Sequence, residues 1–327
     1  MTQRVQPPVE MLWEADVPEL VLAHRFGFSD ADSASEWVAA TVLEVWGIPV
    51  DSCDRIVMSD HNALAWLSCG SESYIAKWSV DPERFARLAA LANVTAWLGG
   101  AGLPVSAPIA ALSGSLQVEV GAVSIALQRH YVGDLLDVSN ENEVRAAGVA
   151  LARLHAALAE CPFVDELPQS ANGKRQVETR IAGWLDSELS NSAPESAVQQ
   201  LRRLVYGGSI EPLQAQLVHG DFRSANLLVA NERIAAILDF EEARLDFPIV
   251  DLAQAAVLLG TQFRDWAPVS GEVRHWLLTG YQSVRPLIEV ELQWWNALVL
   301  WFSLMFIPEG EDPTGWRAAA MDVVSAS

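Results

Sequence analysis

Lysine is almost missing from this chain. Only Lys77 and Lys174 occur in 327 residues, and arginine supplies the remaining positive charge. Acidic residues outnumber basic ones 42 to 21, for a net charge of −21. A nucleic-acid binder needs a basic face to meet the phosphate backbone, so no nucleic-acid partner is expected. The same imbalance favours small cationic partners, because an acidic cleft concentrates cations. Cysteine is scarce too: Cys53, Cys69 and Cys161 are odd in number and form no C-x-x-C pair, which argues against a disulfide framework and for a reduced compartment. Neither an H-E-x-x-H motif nor a Cys/His cluster occurs, so no zinc site is expected. Long apolar runs are also missing. The longest, Ala297 to Ile307, contains Ser303 and is too short to cross a bilayer; it reads as a buried helix, and no membrane partner is expected. Met1 to Glu14 carries Glu10 and Glu14 without a long apolar stretch, unlike a signal peptide, and a cytoplasmic protein is expected.

What remains is a globular composition, 51% hydrophobic and 19% charged, with length for one large or two medium domains. Residues 1–28, with Pro7, Pro8 and Pro18, read as an irregular arm. Ser33 to Trp46 has a helical apolar face, with Ser33 or Ser35 as cap and Gly47 as stop. Residues 56–58, 63–67 and 74–78 read as three antiparallel strands joined by turns at 59–62 and 69–72. Asp81-Pro82-Glu83 opens a helix that Gly99-Gly100 closes. A second hairpin is expected over 118–120 and 122–127. Helices follow over 141–159, 178–189 and from Pro194 to Tyr206, with a loop at 161–173 and a break at Gly207-Gly208. Another helix is expected from Pro248 through Leu259. Residues 261–327 read as helical and Trp-rich, most of the tryptophans being core, and Pro308 to Pro313 as a solvated acidic turn.

The most informative stretch is Leu217-Val218-His219-Gly220-Asp221-Phe222-Arg223-Ser224-Ala225-Asn226-Leu227-Leu228-Val229. Two apolar runs enclose a polar loop that holds an Asp and, five residues on, an Asn. A third apolar run, Ile234 to Leu238, ends in Asp239-Phe240-Glu241. Kinases place a base and two metal ligands in this order: H-x-D, an Asn five residues later, and an Asp after the next strand. With Pro248-Ile249-Val250-Asp251-Leu252-Ala253, the set resembles the aminoglycoside phosphotransferase / choline kinase group. These are small-molecule relatives of the protein kinases, with Gly in place of Arg between His and Asp.

That resemblance implies an α+β, bilobal protein-kinase-like fold. A small antiparallel-β N-lobe with its arm and helix is expected over 1–130, and a larger, mostly helical C-lobe over 131–327. It implies Asp221 as catalytic base, Asn226 and Asp239 as ligands of Mg²⁺, and Lys77 on the third strand as the group that binds the α/β phosphates of ATP or GTP. Ser59 and Asn62 fall in the turn that covers the phosphates, and Gln128 and His130 at the hinge that meets the base through backbone groups. His155 reads as a packed core histidine, and Asp251 as a carboxylate that braces the catalytic loop. Glu241 and Glu242 flank the metal ligand without an assigned role. The turn before the second strand holds Asn62 where protein kinases have a glycine-rich loop, which is similar to the small-molecule kinases. There is one departure: the Glu expected to pair with Lys77 falls at about Leu91. Glu83, the nearest Glu, lies about two turns too early.

The reaction implied is ATP- and Mg-dependent transfer of a phosphoryl group to a hydroxyl of a small cationic molecule. An aminoglycoside or amino sugar comes first, with a role in antibiotic resistance. Homoserine- or choline-type metabolite kinases and macrolide kinases are alternatives, and a nucleotide-binding pseudokinase scaffold is the alternative of another class.

Overall fold

The computed structural model describes residues 6–167, 177–206 and 213–326. They divide into two compact units, one over Met1–Tyr131 and Phe163–Pro168, the other over Val132–Pro162 and Gln169–Ser327.

The first unit is built on one six-stranded sheet. Its strands are β1 (Val9–Met11), β2 (Ser52–Met58), β3 (Asn62–Cys69), β4 (Glu72–Ser79), β5 (Val118–Val120) and β6 (Val123–Arg129), in spatial order β1-β2-β3-β4-β6-β5. Side chains alternate across a strand, so cross-strand partners share a face. The rows Ala63–Trp78–Ile125 and Ala65–Ala76–Leu127 form one face, and all six residues are buried. They join a core with Leu22 of α1 (Pro18–His24) and Val38, Val42 and Trp46 of α2 (Ala31–Trp46). Each large side chain buried there contributes about 1.5–3 kcal/mol. A third helix, α3 (Phe85–Gly100), follows a single 3₁₀ turn at Pro82–Arg84 whose cap is Asp81.

Two sequence expectations are corrected here. The arm is not irregular: it contributes α1 and β1, and β1 lies parallel to β2, with Ile56 N–H donating to the Pro8 carbonyl at 2.9 Å. The cap of α2 is Asp30, not Ser33 or Ser35. Asp30 accepts the Ser33 N–H at 2.8 Å, and the Ser33 hydroxyl accepts the Asp30 N–H in return. A carboxylate at this position satisfies an orphan N–H and meets the positive helix end.

The second unit is mainly helical. Its strands are short: β7 (Asp134–Leu135), β8 (Gln216–Val218), β9 (Leu227–Ala230), β10 (Arg233–Ile237) and β11 (Arg244–Asp246). They form a three-stranded sheet in the order β10-β9-β7 and a pair of β11 with β8. The helices are α4 (Glu141–Leu158), α5 (Val177–Leu185), α6 (Glu195–Tyr206), α7 (Pro248–Leu258), α8 (Gly271–Gln282), α9 (Glu289–Met305) and α10 (Trp316–Ala326). Helix α5 is shorter than expected, because a separate 3₁₀ segment follows at Glu188–Ser192. The Gly207-Gly208 break and most of the second half of the 161–173 loop lie outside the described residues. Of the six tryptophans after residue 261, Trp294, Trp301 and Trp316 are buried, whereas Trp266 is 40% exposed. Asp312 accepts N–H groups of Gly315, Trp316 and Arg317, so the acidic turn also serves as a cap for α10. Among the described residues no helix is long and apolar enough to cross a membrane.

Helices α4 and α8 cross at two glycines. A Cβ on Gly148 would overlap the Leu277 carbonyl, and one on Gly280 the Arg145 carbonyl. Both collisions are with backbone, which cannot rotate away. Gly148→Ala is therefore expected to destabilise by about 1–3 kcal/mol through overpacking, although alanine is the better helix former. A urea melt of the variant checks this.

Candidate active site

The site is set by a loop, His219 to Asn226, that leaves β8 and enters β9 through a 3₁₀ turn at Ser224–Asn226. Helix α7 supports it. Every residue of α7 is buried except Gln254, and its two polar residues both reach the loop. Asp251, 1% exposed in the first turn, accepts the His219 N–H at 3.2 Å on Oδ2 and the Gly220 N–H at 2.8 Å on Oδ1. Gln254 Nε2 donates to the Gly220 carbonyl at 2.8 Å. Arg244 of β11 forks three ways, to the Gly220 carbonyl, to Gln254 Oε1 and to Asp246. Gly220 has φ +82°, and a Cβ there would overlap the Glu242 carbonyl, so only glycine fits.

Asp251 has another partner behind the loop. His155 Nε2 lies 3.0 Å from Asp251 Oδ2, and its Nδ1 lies 2.8 Å from the Tyr281 hydroxyl. All three are buried. Burial alone would raise the Asp251 pKa. The hydrogen bond and field of His155, with Arg244 and His219 adding to them, outweigh it and bring the group down to about 2. His219 is likewise a bracing residue. Its Nδ1 accepts the Asp221 N–H at 3.2 Å, which leaves the proton on Nε2 to meet the Leu238 carbonyl at 3.0 Å. Phe240 packs against its ring at 4.6 Å.

Held in this way, Asp221 presents a carboxylate engaged on both oxygens. Arg223 Nε donates to Oδ1 at 2.8 Å and Asn226 Nδ2 to Oδ2 at 2.7 Å. Burial pushes the Asp221 pKa above the ordinary carboxylate value; Arg223 and His219 pull against that, and Asp239 adds to it. Each oxygen keeps a second lone pair, so the group can still accept a proton from a hydroxyl. Asn226 uses its nitrogen on Asp221, which leaves its amide oxygen for a cation. The β9–β10 hairpin brings Asp239 to the same end: Leu238 N–H donates to the Asn226 carbonyl at 2.8 Å, and Asp239 follows with φ +53°. A non-glycine residue in that region is costly and is common where function demands it. Asn226 and Asp239 fit Mg²⁺, which takes one or two protein oxygens and keeps waters and phosphate oxygens for the rest. Among the described residues no group of three or more His, Cys, Asp and Glu could hold a metal alone.

In the first unit, Lys77 sits on β4, flanked by Leu64 of β3 and Ala126 of β6. It is thus on a central strand of the sheet. Strand parity puts Asn62, Lys77 and Gln128 on one face, opposite the apolar core. Ser59 is buried and closes the turn with Asn62: its N–H donates to the Asn62 carbonyl at 2.8 Å. Arg25 braces the same turn from the arm, donating to the Ser59 carbonyl at 3.1 Å while pairing with Glu14 and Asp16. His130 is exposed beyond β6, its N–H on the Ser73 carbonyl at 3.0 Å. Helix α3 has no acidic residue; Leu91 is buried in it, and Glu83 is exposed in the 3₁₀ turn before it.

Sequence reading missed Arg223, Arg244 and Gln254. A signal existed for Gln254, the one polar residue besides Asp251 in an otherwise apolar helix and three positions along the same face. Arg223 was signalled by a cation two residues after the candidate base. Nothing in the sequence singles out Arg244, whose targets are brought to it by folding.

Residues 61–287 match the model of a family described as the phosphotransferase enzyme family. Curated relatives include a homoserine kinase from Methylobacillus glycogenes, 26% identical over 210 residues, 61% of this chain and 60% of the relative. Another is a homoserine kinase from Methylorubrum populi, 26% identical over 205 residues and 61% of each chain. The match thus spans about three fifths of these relatives. Among solved structures, an amicoumacin kinase in complex with AMP-PNP and Ca²⁺ is similar with a TM-score of 0.63 and 13% identity, covering 89% of this chain and 93% of that one. A microcompartment-associated aminopropanol kinase gives 0.59 and 17%, covering 89% and 95%. A spectinomycin phosphotransferase in complex with ADP gives 0.58 and 12%, covering 89% and 94%. These likenesses establish the bilobal, kinase-like α+β fold. With its catalytic-type loop inside the matched stretch, the chain belongs to the phosphotransferase enzyme family.

Proposed function

We propose that this chain is a small-molecule kinase that moves the terminal phosphoryl group of ATP or GTP to a hydroxyl of an amine-bearing alcohol. The observation that carries the reading is the Asp221 carboxylate, fixed on both oxygens by Arg223 and Asn226. Asp221 orients the acceptor hydroxyl and takes its proton as the new O–P bond forms. The transition state is loose, so positioning matters more than base strength. Asn226 and Asp239 would hold Mg²⁺, which neutralises phosphate charge when bound. Lys77 would take the α/β phosphates. Ser59, Asn62 and the backbone N–H groups of their turn would meet a phosphate, and the backbone of Gln128 and His130 the base. A cytoplasmic setting, where these nucleotides are abundant, suits the reading.

For the acceptor, the net charge of −21 supports a cationic compound, with an aminoglycoside or amino sugar first and drug inactivation as the role. A second reading, a homoserine-type amino-acid alcohol, is favoured by the curated relatives. The test is ADP release by purified protein with ATP and Mg²⁺ against a panel of aminoglycosides, amino sugars, homoserine, choline and macrolides. Turnover with an amine-bearing alcohol, above the rate without acceptor, is the expected result. The highest kcat/KM names the class, and a preference for homoserine or choline ends the amino-sugar reading. A protein that binds nucleotide yet releases no ADP with any of them is a pseudokinase scaffold.

A further inference from the structure

Resting on the phosphotransferase reading, we infer that Arg223 is a catalytic residue that contacts the phosphoryl group during transfer. Its side chain is only 11% exposed and is fixed on three sides. Nε donates to Asp221 Oδ1 at 2.8 Å, a terminal nitrogen reaches the Thr261 carbonyl at 3.4 Å, and the guanidinium lies 5.3 Å from the centre of the Trp266 ring. Arginine has five N–H donors, and two are used. The others have no hydrogen-bond partner among the described residues.

Chemistry places the phosphoryl group near those donors. A base works within about 3 Å of the hydroxyl it deprotonates. The hydroxyl oxygen in turn attacks phosphorus from about 3–3.5 Å. The phosphorus therefore passes roughly 5 Å from the carboxylate that Arg223 holds, within the span of one guanidinium. Without a cation there, Asp221 and the incoming phosphoryl oxygens would oppose each other in a half-buried loop. A planar guanidinium suits both, with one N–H on the carboxylate and a forked pair for phosphoryl oxygens. Arg223 also leaves the acceptor amine no favourable place beside Asp221.

The test compares wild type with Arg223→Met, Arg223→Lys and Arg223→Ala, using the acceptor chosen by the panel. Arg223→Met is expected to lower kcat by about 10², the usual effect of losing one transition-state donor, while nucleotide KM stays within about threefold. Lys should recover part of the loss. Guanidinium chloride at millimolar concentration should restore the Ala variant, and potassium chloride at equal ionic strength should not. In an Asp221→Asn background, Arg223→Met should cost a further factor of about ten, because the contact is with phosphoryl oxygens and not only with Asp221. A Met variant with kcat near wild type overturns the inference. So does a deficit that neither Lys nor guanidinium relieves, which would make Arg223 a packing residue, or one that vanishes in the Asp221→Asn background, which would make it a positioning residue. Wild-type turnover is read first: silence there overturns the phosphotransferase reading, whereas an active Met variant beside an active wild type overturns only the role of Arg223.

Discussion

Asp221→Asn is expected to lower kcat by about 10²–10⁴ while leaving the protein folded and nucleotide binding nearly unchanged. The substitution keeps size and one acceptor oxygen but removes the site that takes the proton. At about 1.4 kcal/mol per decade, the loss corresponds to roughly 3–6 kcal/mol of transition-state stabilisation. The fold should tolerate it. The loop is held through the backbone of His219 and Gly220 by Asp251, Gln254 and Arg244, none of which bonds the Asp221 side chain. Steady-state ADP release, nucleotide titration and a thermal melt together decide it. A variant that retains more than a tenth of wild-type kcat would remove Asp221 from the role of base.

The second large effect is expected at Asp251. Asp251→Ala leaves His155 and two backbone N–H groups buried without their acceptor, and should destabilise by about 3–5 kcal/mol. Activity should fall with it, because the same carboxylate sets the backbone that carries Asp221. The pH dependence has a definite sign. The Asp251 pKa is about 2 in the folded protein, below the ordinary carboxylate value. The unfolded chain therefore binds that proton more readily between about pH 4 and pH 2. The stabilisation is fully present above about pH 4 and disappears as pH falls to about 2, an amount on the order of 2 kcal/mol. Urea melts of wild type and Asp251→Asn should thus differ most near neutrality and converge in acid. A gap that widened in acid would contradict the assignment.

The candidate catalytic loop was legible because its information is local. His219, Asp221 and Asn226 lie in one turn, Asp239 follows one hairpin, and Asp251 opens the next helix. The continuous apolar run from Ala63 to Leu67, bounded by two polar turns, likewise announced its strand. What could not be read depends on distant partners. The parallel pairing of Val9–Met11 with β2 is fixed by residues more than forty positions away, and three residues beside prolines give no period to detect. Arg244 and Gln254 act on the Gly220 carbonyl, a backbone atom with no sequence signature. The cap of α2 was misplaced because Asp30, Ser33 and Ser35 all suit the role, and the two residues that share the capping box are Asp30 and Ser33. For the tryptophans, helical spacing leaves open which side of each helix meets a neighbour.

The family match begins at residue 61, in the turn between β2 and β3, and stops at 287, just before α9. A gene trimmed to those limits would strip two strands from the sheet and discard both helices that roof its apolar side. It would also lose the Arg25 tie to Ser59 and the last two helices of the other unit. Recognisable ancestry and a self-supporting module have different borders in this protein, and expression work should respect the wider ones.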